Sequence, residues 1–84
     1  MQEDRRFAAE EGALEQVRRA VRNMREFKRV NRLCGGVRVF VSEDVFAALR
    51  RSGGLAADAY GYFELDRCPV RIVHGYPRGY ISAE

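Results

Sequence analysis

The sequence has no tryptophan, a single histidine, two prolines and two cysteines. It also has no apolar run near the roughly 20 residues that a membrane-spanning helix needs, so no membrane partner is expected. The opening residues, MQEDRRFAAEEG, lack the apolar core of a secretory signal peptide. These absences predict a cytoplasmic protein.

The scarcity of cysteine and histidine limits the chemistry that the chain can carry. Cys34 and Cys68 show neither the C-x-x-C pattern nor a metal-ligand spacing, which predicts free thiols rather than a metal site or a disulfide. His74 is expected to be a structural residue at a strand end. Cys34 and His74 would suit a thiol–imidazole pair, but no local signature connects them.

Glycine occurs in two pairs, Gly35-Gly36 and Gly53-Gly54. Both follow predicted helices, which is the placement of helix caps, and neither precedes lysine in the phosphate-binding loop pattern. Together with the lack of paired catalytic groups, this predicts a protein that is not an enzyme and that uses no cofactor.

The composition is that of a folded domain with an uneven distribution of charge. The 84 residues are 46% apolar and 32% charged, with a net charge of +3, which predicts one domain over residues 1–84. Residues 1–12 carry a net charge of −2, residues 13–34 a net charge of +5, and residues 35–84 are balanced. Because Gly12 weakens a helix, residues 1–12 are expected to fray or to form a separate short turn.

The clearest structural signal is the stretch VRVFVSEDVFAALRR, residues 37–51. Alternating valines in Val37–Val41 predict a half-buried strand. Ser42 is placed to cap a following helix, and Glu43 and Asp44 put negative charge in its first turn. The helix that follows is predicted to end at Gly53-Gly54.

A longer amphipathic helix is predicted from Ala13 to about Leu33, ended by a left-handed glycine cap in Cys34-Gly35-Gly36. After the second helix, residues 55–59 have no clear structure. Short strands are predicted at residues 62–65, 68–74 and 80–82, with turns at Asp66-Arg67 and at Pro77-Arg78-Gly79, where proline suits the second position.

These elements predict an α+β fold of order α-β-α-β-β-β, in which both helices cover one face of a small, mainly antiparallel sheet. The predicted core is listed as Leu14, Val17, Val21, Met24, Phe27, Val39, Val41, Val45, Leu49, Val70 and Ile72. Such a small core is suited to completion by self-association, so a homo-oligomer is a further expectation.

One candidate site is a basic stripe beside the apolar face of the first helix. Its members are Arg18, Arg22, Arg25, Arg29 and Arg32, which fall within an arc of roughly 80° at the helical repeat. A solvated helix face, partly offset by Glu15 and Glu26, is one interpretation. The other is a footprint for an acidic protein surface or for nucleic acid.

The other candidate site is a group of aromatic and arginine residues in the last third of the chain. It consists of Tyr60, Tyr62, Arg67, Arg71, Tyr76, Arg78 and Tyr80. Tyrosine and arginine dominate protein interfaces, and they also stack on single-stranded nucleic acid. The alternative is that the tyrosines cover the rim of the core. Nearby acids (Asp58, Glu64 and Asp66) make the region nearly neutral, which favours a protein partner.

Two resemblances bear on function. VRVFVSEDVFAALRRSG, residues 37–53, resembles the strand–helix opening of ribbon–helix–helix repressors, but Gly61, Pro69 and the β-prone residues after it argue against the second long helix of those proteins. YFELDRCPVRIVHGYPRGYIS, residues 62–82, resembles a pattern in small phage and prophage proteins, whose members are mostly of unknown role. This resemblance implies a phage-type origin and action by binding.

The sequence as a whole predicts a non-enzymatic binding module that occludes a protein partner with an acidic surface. A phage-encoded inhibitor of a host or defence complex, such as an anti-CRISPR in the bacterial cytoplasm, is the first interpretation. A nucleic-acid-binding protein that uses the arginine stripe is the second, and a virion structural or assembly component is the third.

Overall fold

The structure is a computed structural model that describes residues 9–57, 60 and 62–84. Its elements are α1 (Ala9–Val30), β1 (Val39–Val41), α2 (Glu43–Ser52), β2 (Ala56–Ala57), β3 (Phe63–Leu65), β4 (Cys68–Ile72) and β5 (Ile81–Ala83). The predicted α+β class is therefore confirmed. Residues 1–8, part of the segment expected to fray, lie outside the described residues.

The five strands form one sheet in the order β2-β3-β4-β1-β5. β1 runs parallel to β4, and the other neighbouring strands are antiparallel. Val39, Val41 and Val70 are buried, whereas Arg38 and Arg71 between or beside them are exposed. Because the buried side chains of both helices belong to the same core as these valines, both helices cover the same face of the sheet.

The apolar stripe of α1 is longer than the surface that covers it. Val17 and Val21 have 0% and 2% of their surface exposed, Leu14 and Met24 pack at the margin of the core, and Phe27 is 52% exposed. The prediction that Phe27 lies in the core was wrong. Helical spacing places Phe27 on the stripe, but α1 extends past the layer of side chains against which Val17 and Val21 pack.

The ends of α1 also differ from prediction. The helix begins at Ala9, so Gly12 lies inside it. At the other end Arg32, with φ 57°, is the left-handed residue. The amide of Leu33 donates to the oxygen of Lys28 at 2.8 Å and that of Arg32 to Arg29 at 3.3 Å. This is a Schellman cap, closed three residues before Gly35 by an arginine rather than by a glycine.

The strand–helix unit at the centre of the chain agrees with its prediction, except that β1 covers Val39–Val41 rather than Val37–Val41 and that the Ser42 side chain makes no hydrogen bond to the helix amides. Ser42 occupies the N-cap position of α2, and Gly53 ends the helix with φ 78°, its amide donating to the oxygen of Arg50. Val45, Phe46 and Leu49 are buried. Amphipathic spacing, acidic residues in the first turn and a left-handed glycine at the end therefore all act as expected.

The last third of the chain contains the predicted turns and one unpredicted strand. Ala56–Ala57 pair with β3 as a two-residue edge strand, whereas Asp58 and Ala59 lie outside the described residues. In the turn predicted at Pro77-Arg78-Gly79, the amide of Tyr80 donates to the oxygen of Pro77 at 3.2 Å. Pro77 is therefore the first residue of that turn, not the second. Among the described residues, no helix is both long and apolar enough to cross a membrane.

Candidate functional site

An open cleft of about 680 Å³ lies where the end of α1, residues 33–38 and the start of β4 meet. Its charged walls are formed by Arg25, Lys28, Arg29, Arg38 and Arg67. None of the described residues that line the cleft carries a carboxylate. This concentration of one sign of charge makes it the strongest candidate site in the described structure.

Two of the cations are held in place by backbone oxygens. Arg25 donates to the oxygen of Asp66 at 3.2 Å and to Sγ of Cys68 at 3.3 Å. Lys28 Nζ donates to the oxygen of Gly36 at 3.0 Å. These contacts connect α1 to the turn before β4 and to the loop before β1. Because the acceptors are neutral, they orient both side chains without cancelling their charge.

Arg38 and Arg67 come to the cleft from other parts of the fold. The backbone of Arg38 exchanges two hydrogen bonds with Glu84, at 2.9 and 2.8 Å, which fixes it beside β5. Arg67 is the second residue of the two-residue turn between β3 and β4. In the described part of the chain neither guanidinium makes a hydrogen bond or an ion pair.

The turn that carries Arg67 has an unusual backbone for its residues. Asp66 and Arg67 have φ values of 51° and 69°, the two left-handed residues of a type I′ turn. Leu65 and Cys68 pair on either side of it. The turn was predicted, but its second residue in such turns is usually glycine, which has no Cβ to strain the backbone.

The predicted basic stripe divides into residues with different surroundings. Arg18 pairs with the carboxylate of Asp66 at 3.2 Å and Arg22 with Glu15 at 3.8 Å. Arg29 pairs with Glu26, and the hydrogen bond between them lowers the pKa of Glu26 and raises that of Arg29.

These three ion pairs have side chains that are 44–71% exposed, so salt and water screen them. Of the five residues in the stripe, only Arg25 and Arg29 line the cleft. Arg32 closes the Schellman cap through its backbone. The structure thus brings part of the stripe, not the whole of it, to one site.

An apolar patch is exposed at the end of α1 near which the cleft lies. It consists of Phe27, Val30 and Leu33, which are 52%, 61% and 51% exposed, and of these three only Leu33 lines the cleft. Sequence reasoning missed this patch because it assigned Phe27 to the core and gave Val30 and Leu33 no role. The signal available in the sequence was the length of the apolar stripe, which continues further along the helix than a small sheet and one short helix can cover.

The predicted aromatic and arginine group is spread over two regions. Arg71, in β4, lies over the ring of Tyr62 at 5.4 Å. Tyr76 and Tyr80 lie between β4 and β5, and their rings are 4.6 Å apart. Tyr60 is 85% exposed.

Within that group the arginines also separate. Only Arg67 reaches the cleft. Arg78 instead acts on Asp44, whose pKa it helps to lower. The tyrosines are therefore not part of the cationic cleft.

A second polar cluster surrounds the start of α2 and has a structural role. Ser42 makes no side-chain bond to the helix amides, contrary to prediction. Its hydroxyl donates to Asp44 at 2.6 Å and accepts from the amide of Tyr80 at 3.2 Å, while the amide of Gly79 donates to Asp44 at 3.0 Å. Burial acts to raise the pKa of Asp44, but these hydrogen bonds outweigh it and lower that pKa.

His74 was expected to lie at the end of a strand over residues 68–74. The structure ends β4 at Ile72 instead of residue 74, so the side chain of His74 is 73% exposed and its Nδ1 contacts the carboxylate of Glu43. Cys34 is exposed and Cys68 is buried, both as free thiols. The cleft thus offers positive charge, hydrogen-bond donors and an apolar border, with the histidine at the other end of β4.

Comparisons of the chain with models of protein families, with curated proteins and with solved structures found no match. The functional argument therefore depends on the geometry and chemistry of this chain. Within the described residues no group of three or more histidine, cysteine or acidic side chains is arranged to hold a metal ion.

Proposed function

We propose that this protein is a non-enzymatic binding module whose partner is a protein with an acidic surface. The observation that supports this most directly is the convergence of five cationic side chains on a cleft that the half-exposed Leu33 also lines, at the end of α1 where Phe27 and Val30 are exposed as well. A partner that places apolar residues on the patch and carboxylates over the cleft would satisfy both features together.

The energetics favour such a partner. Protein interfaces combine a central apolar region with a polar rim, and aromatic and arginine residues contribute most to their binding energy. Fully burying an apolar side chain such as that of Phe27 or Leu33 contributes about 1.5–3 kcal/mol. The cations would set the orientation of the partner and increase the association rate.

The same geometry argues for protein over nucleic acid. A phosphate backbone needs cations, but it gives no reason to expose the aliphatic side chain of Leu33 in the same cleft. Stacking of single-stranded bases would use aromatic rings along a basic groove, whereas none of the described residues that line the cleft is aromatic. Nucleic-acid binding is therefore an outcome to be tested against the protein partner.

Within this class we propose a phage-type inhibitor that acts by occlusion in the bacterial cytoplasm, for example against a host defence complex. The support is the surface itself: a cationic cleft lined also by the half-exposed Leu33 is suited to cover an acidic functional surface of a partner. A virion component would need surfaces that repeat in an assembly, and no described feature favours that function.

Two aromatic substitutions test the assignment of the surface. Phe27→Ser is the test and Tyr76→Ser the matched control, because both side chains are 52% exposed and they lie on different parts of the fold. Each variant and the unmodified protein are used to capture partners from nuclease-treated bacterial lysate. A partner found with the unmodified protein is then purified, and its affinity for each variant is measured by calorimetry.

We expect Phe27→Ser to weaken binding of the purified partner about tenfold or more, as for a hot-spot residue, and Tyr76→Ser to leave it unchanged. Equal effects of the two variants would contradict the proposal. So would a ligand that nuclease removes, since that result assigns the function to nucleic-acid binding.

A further inference from the structure

We infer that the cleft is a binding site for carboxylates on an acidic segment of the partner, and that Arg67 and Arg38 determine its specificity. The affinity of the cleft for oxyanions follows from its own geometry. The identity of the source, a peptide segment, rests on the proposed function.

The first support is the convergence of charge. Side chains from three separate parts of the chain, α1, the approach to β1 and the turn before β4, bring five cations to one cleft. Arg29 is paired with Glu26 outside the lining, and none of the described lining residues carries a carboxylate. Like charges that share a cleft repel one another, and an entering anion relieves that repulsion. Clefts lined by one sign of charge also concentrate the opposite charge.

The second support is that Arg38 and Arg67 have unused donors. Each guanidinium has five N–H donors in a planar fork that matches a carboxylate. In the described part of the chain neither is engaged by another residue. Arg25 and Lys28 are already oriented by the oxygens of Asp66 and Gly36, so less conformational freedom is lost when an anion binds.

The third support is the backbone at Arg67. Its φ of 69° is a conformation that glycine adopts with less strain than any residue with a Cβ. Strained residues are frequent at functional sites, where the side chain has a role that stability alone would not favour. An arginine here projects a guanidinium into the cleft from the tip of a hairpin.

The shape of the cleft favours a peptide segment over a small anion. Its volume of about 680 Å³ lies in the range of sites for ligands much larger than phosphate. The positions that a Cβ would take on Gly35 and Gly36 have no atom within 4 Å, so the cleft is open along this loop. Leu33, half exposed at its border, offers contact to an apolar side chain of the same segment.

The exposed thiol of Cys34 provides a direct measurement, since it lines the cleft while Cys68 is buried. The rate of Cys34 alkylation by N-ethylmaleimide is followed while a glutamate-rich peptide with one leucine is added at constant ionic strength. We expect saturable protection of the thiol. A peptide of the same length in which serine replaces leucine should protect at higher concentration.

Arg67→Gln and Arg71→Gln form a matched pair of variants. Both remove a guanidinium from an exposed position, but only Arg67 lines the cleft. We expect Arg67→Gln to raise the half-protecting peptide concentration about tenfold, the effect of losing a charge-assisted hydrogen bond. Arg71→Gln should leave that concentration unchanged. Arg67→Gly, which suits the turn, should behave as Arg67→Gln with the fold intact.

The other outcomes of these experiments would overturn the site, its assignment to a peptide segment or the proposed function. Equal weakening by Arg67→Gln and Arg71→Gln, or no protection by the peptide, would overturn the site. Stronger protection by pyrophosphate or by a single-stranded oligonucleotide than by the peptide would overturn the assignment to a peptide segment. If the Phe27→Ser test of the protein partner fails while the peptide still protects Cys34, the proposed function fails and the oxyanion site stands.

Discussion

The guanidinium of Arg25 lies 3.2 Å from the backbone oxygen of Asp66. The two residues are 41 positions apart in the sequence, and their contact holds the second half of α1 against the β3–β4 turn. Arg18, two helical turns earlier, contacts the carboxylate of the same aspartate at 3.2 Å. One turn residue thus anchors both arginines and positions Arg67, which follows it, at the cleft.

Asp66→Asn tests the contact with Arg18 alone. It removes the negative charge that pairs with Arg18 and keeps the backbone oxygen that accepts a hydrogen bond from Arg25. The Arg18 and Asp66 side chains are 44% and 48% exposed, so their pairing is screened by water. We expect a loss of less than about 1 kcal/mol in the free energy of unfolding, measured by urea titration. A loss above about 2 kcal/mol would show that the ion pair of Arg18 and Asp66 contributes strongly to the stability of the fold.

Leu49→Ala tests the core predicted from the strand–helix unit. Leu49 has 0% of its surface exposed, and removing a fully buried leucine side chain leaves a cavity. We expect a loss of about 2–5 kcal/mol in the free energy of unfolding, measured by urea titration. Leu33→Ala, the same change at a 51% exposed site, is the control and should cost less than about 0.5 kcal/mol.

The fold could be read from the sequence where the signals were local. The alternating burial in Val37–Val41 and the glycine after α2 each depend on neighbouring residues, and both were confirmed, although the strand itself covers only Val39–Val41. The prediction for Phe27 was wrong because its exposure depends on where the side chains that pack against α1 end. Helical periodicity describes only the helix that carries the residue.

The candidate site was less predictable for the same reason. The stripe on α1 follows from helical spacing, but only two of its arginines line the cleft. Arg38 and Arg67 join them because β1 lies beside β4, a pairing of residues about thirty positions apart in the chain. No local pattern specifies that pairing, so their convergence became visible only in the folded chain.

The lowered pKa of Asp44 predicts how the stability of the fold depends on pH. Although burial opposes ionisation, hydrogen bonds from Ser42 and Gly79 lower the pKa of Asp44 below its ordinary value of 3.8. A lowered pKa in the folded state means that the ionised carboxylate stabilises the fold above pH 3.8 and that this contribution is lost as pH falls through the folded pKa.

We therefore expect the thermal midpoint of the unmodified protein to fall as pH is lowered below about 4. Asp44→Asn should be less stable at neutral pH, and its midpoint should change less over the acid range. Glu64→Gln, an acid on β3 outside this network, serves as the control. If both variants follow the same acid profile as the unmodified protein, Asp44 does not contribute as described.

Arg67→Gly is expected to change stability and binding in opposite directions. At φ 69° a residue with a Cβ is strained by about 1–2 kcal/mol, and glycine relieves that strain while losing some of the gain to the entropy of the unfolded chain. The net gain in the free energy of unfolding should be about 0.5–1 kcal/mol, measured by urea titration. Peptide protection of Cys34 should weaken in the same variant. A variant that is both less stable and weaker in binding would mean that Arg67 stabilises the hairpin. Its charge in the cleft would then have a structural role rather than a role in ligand binding.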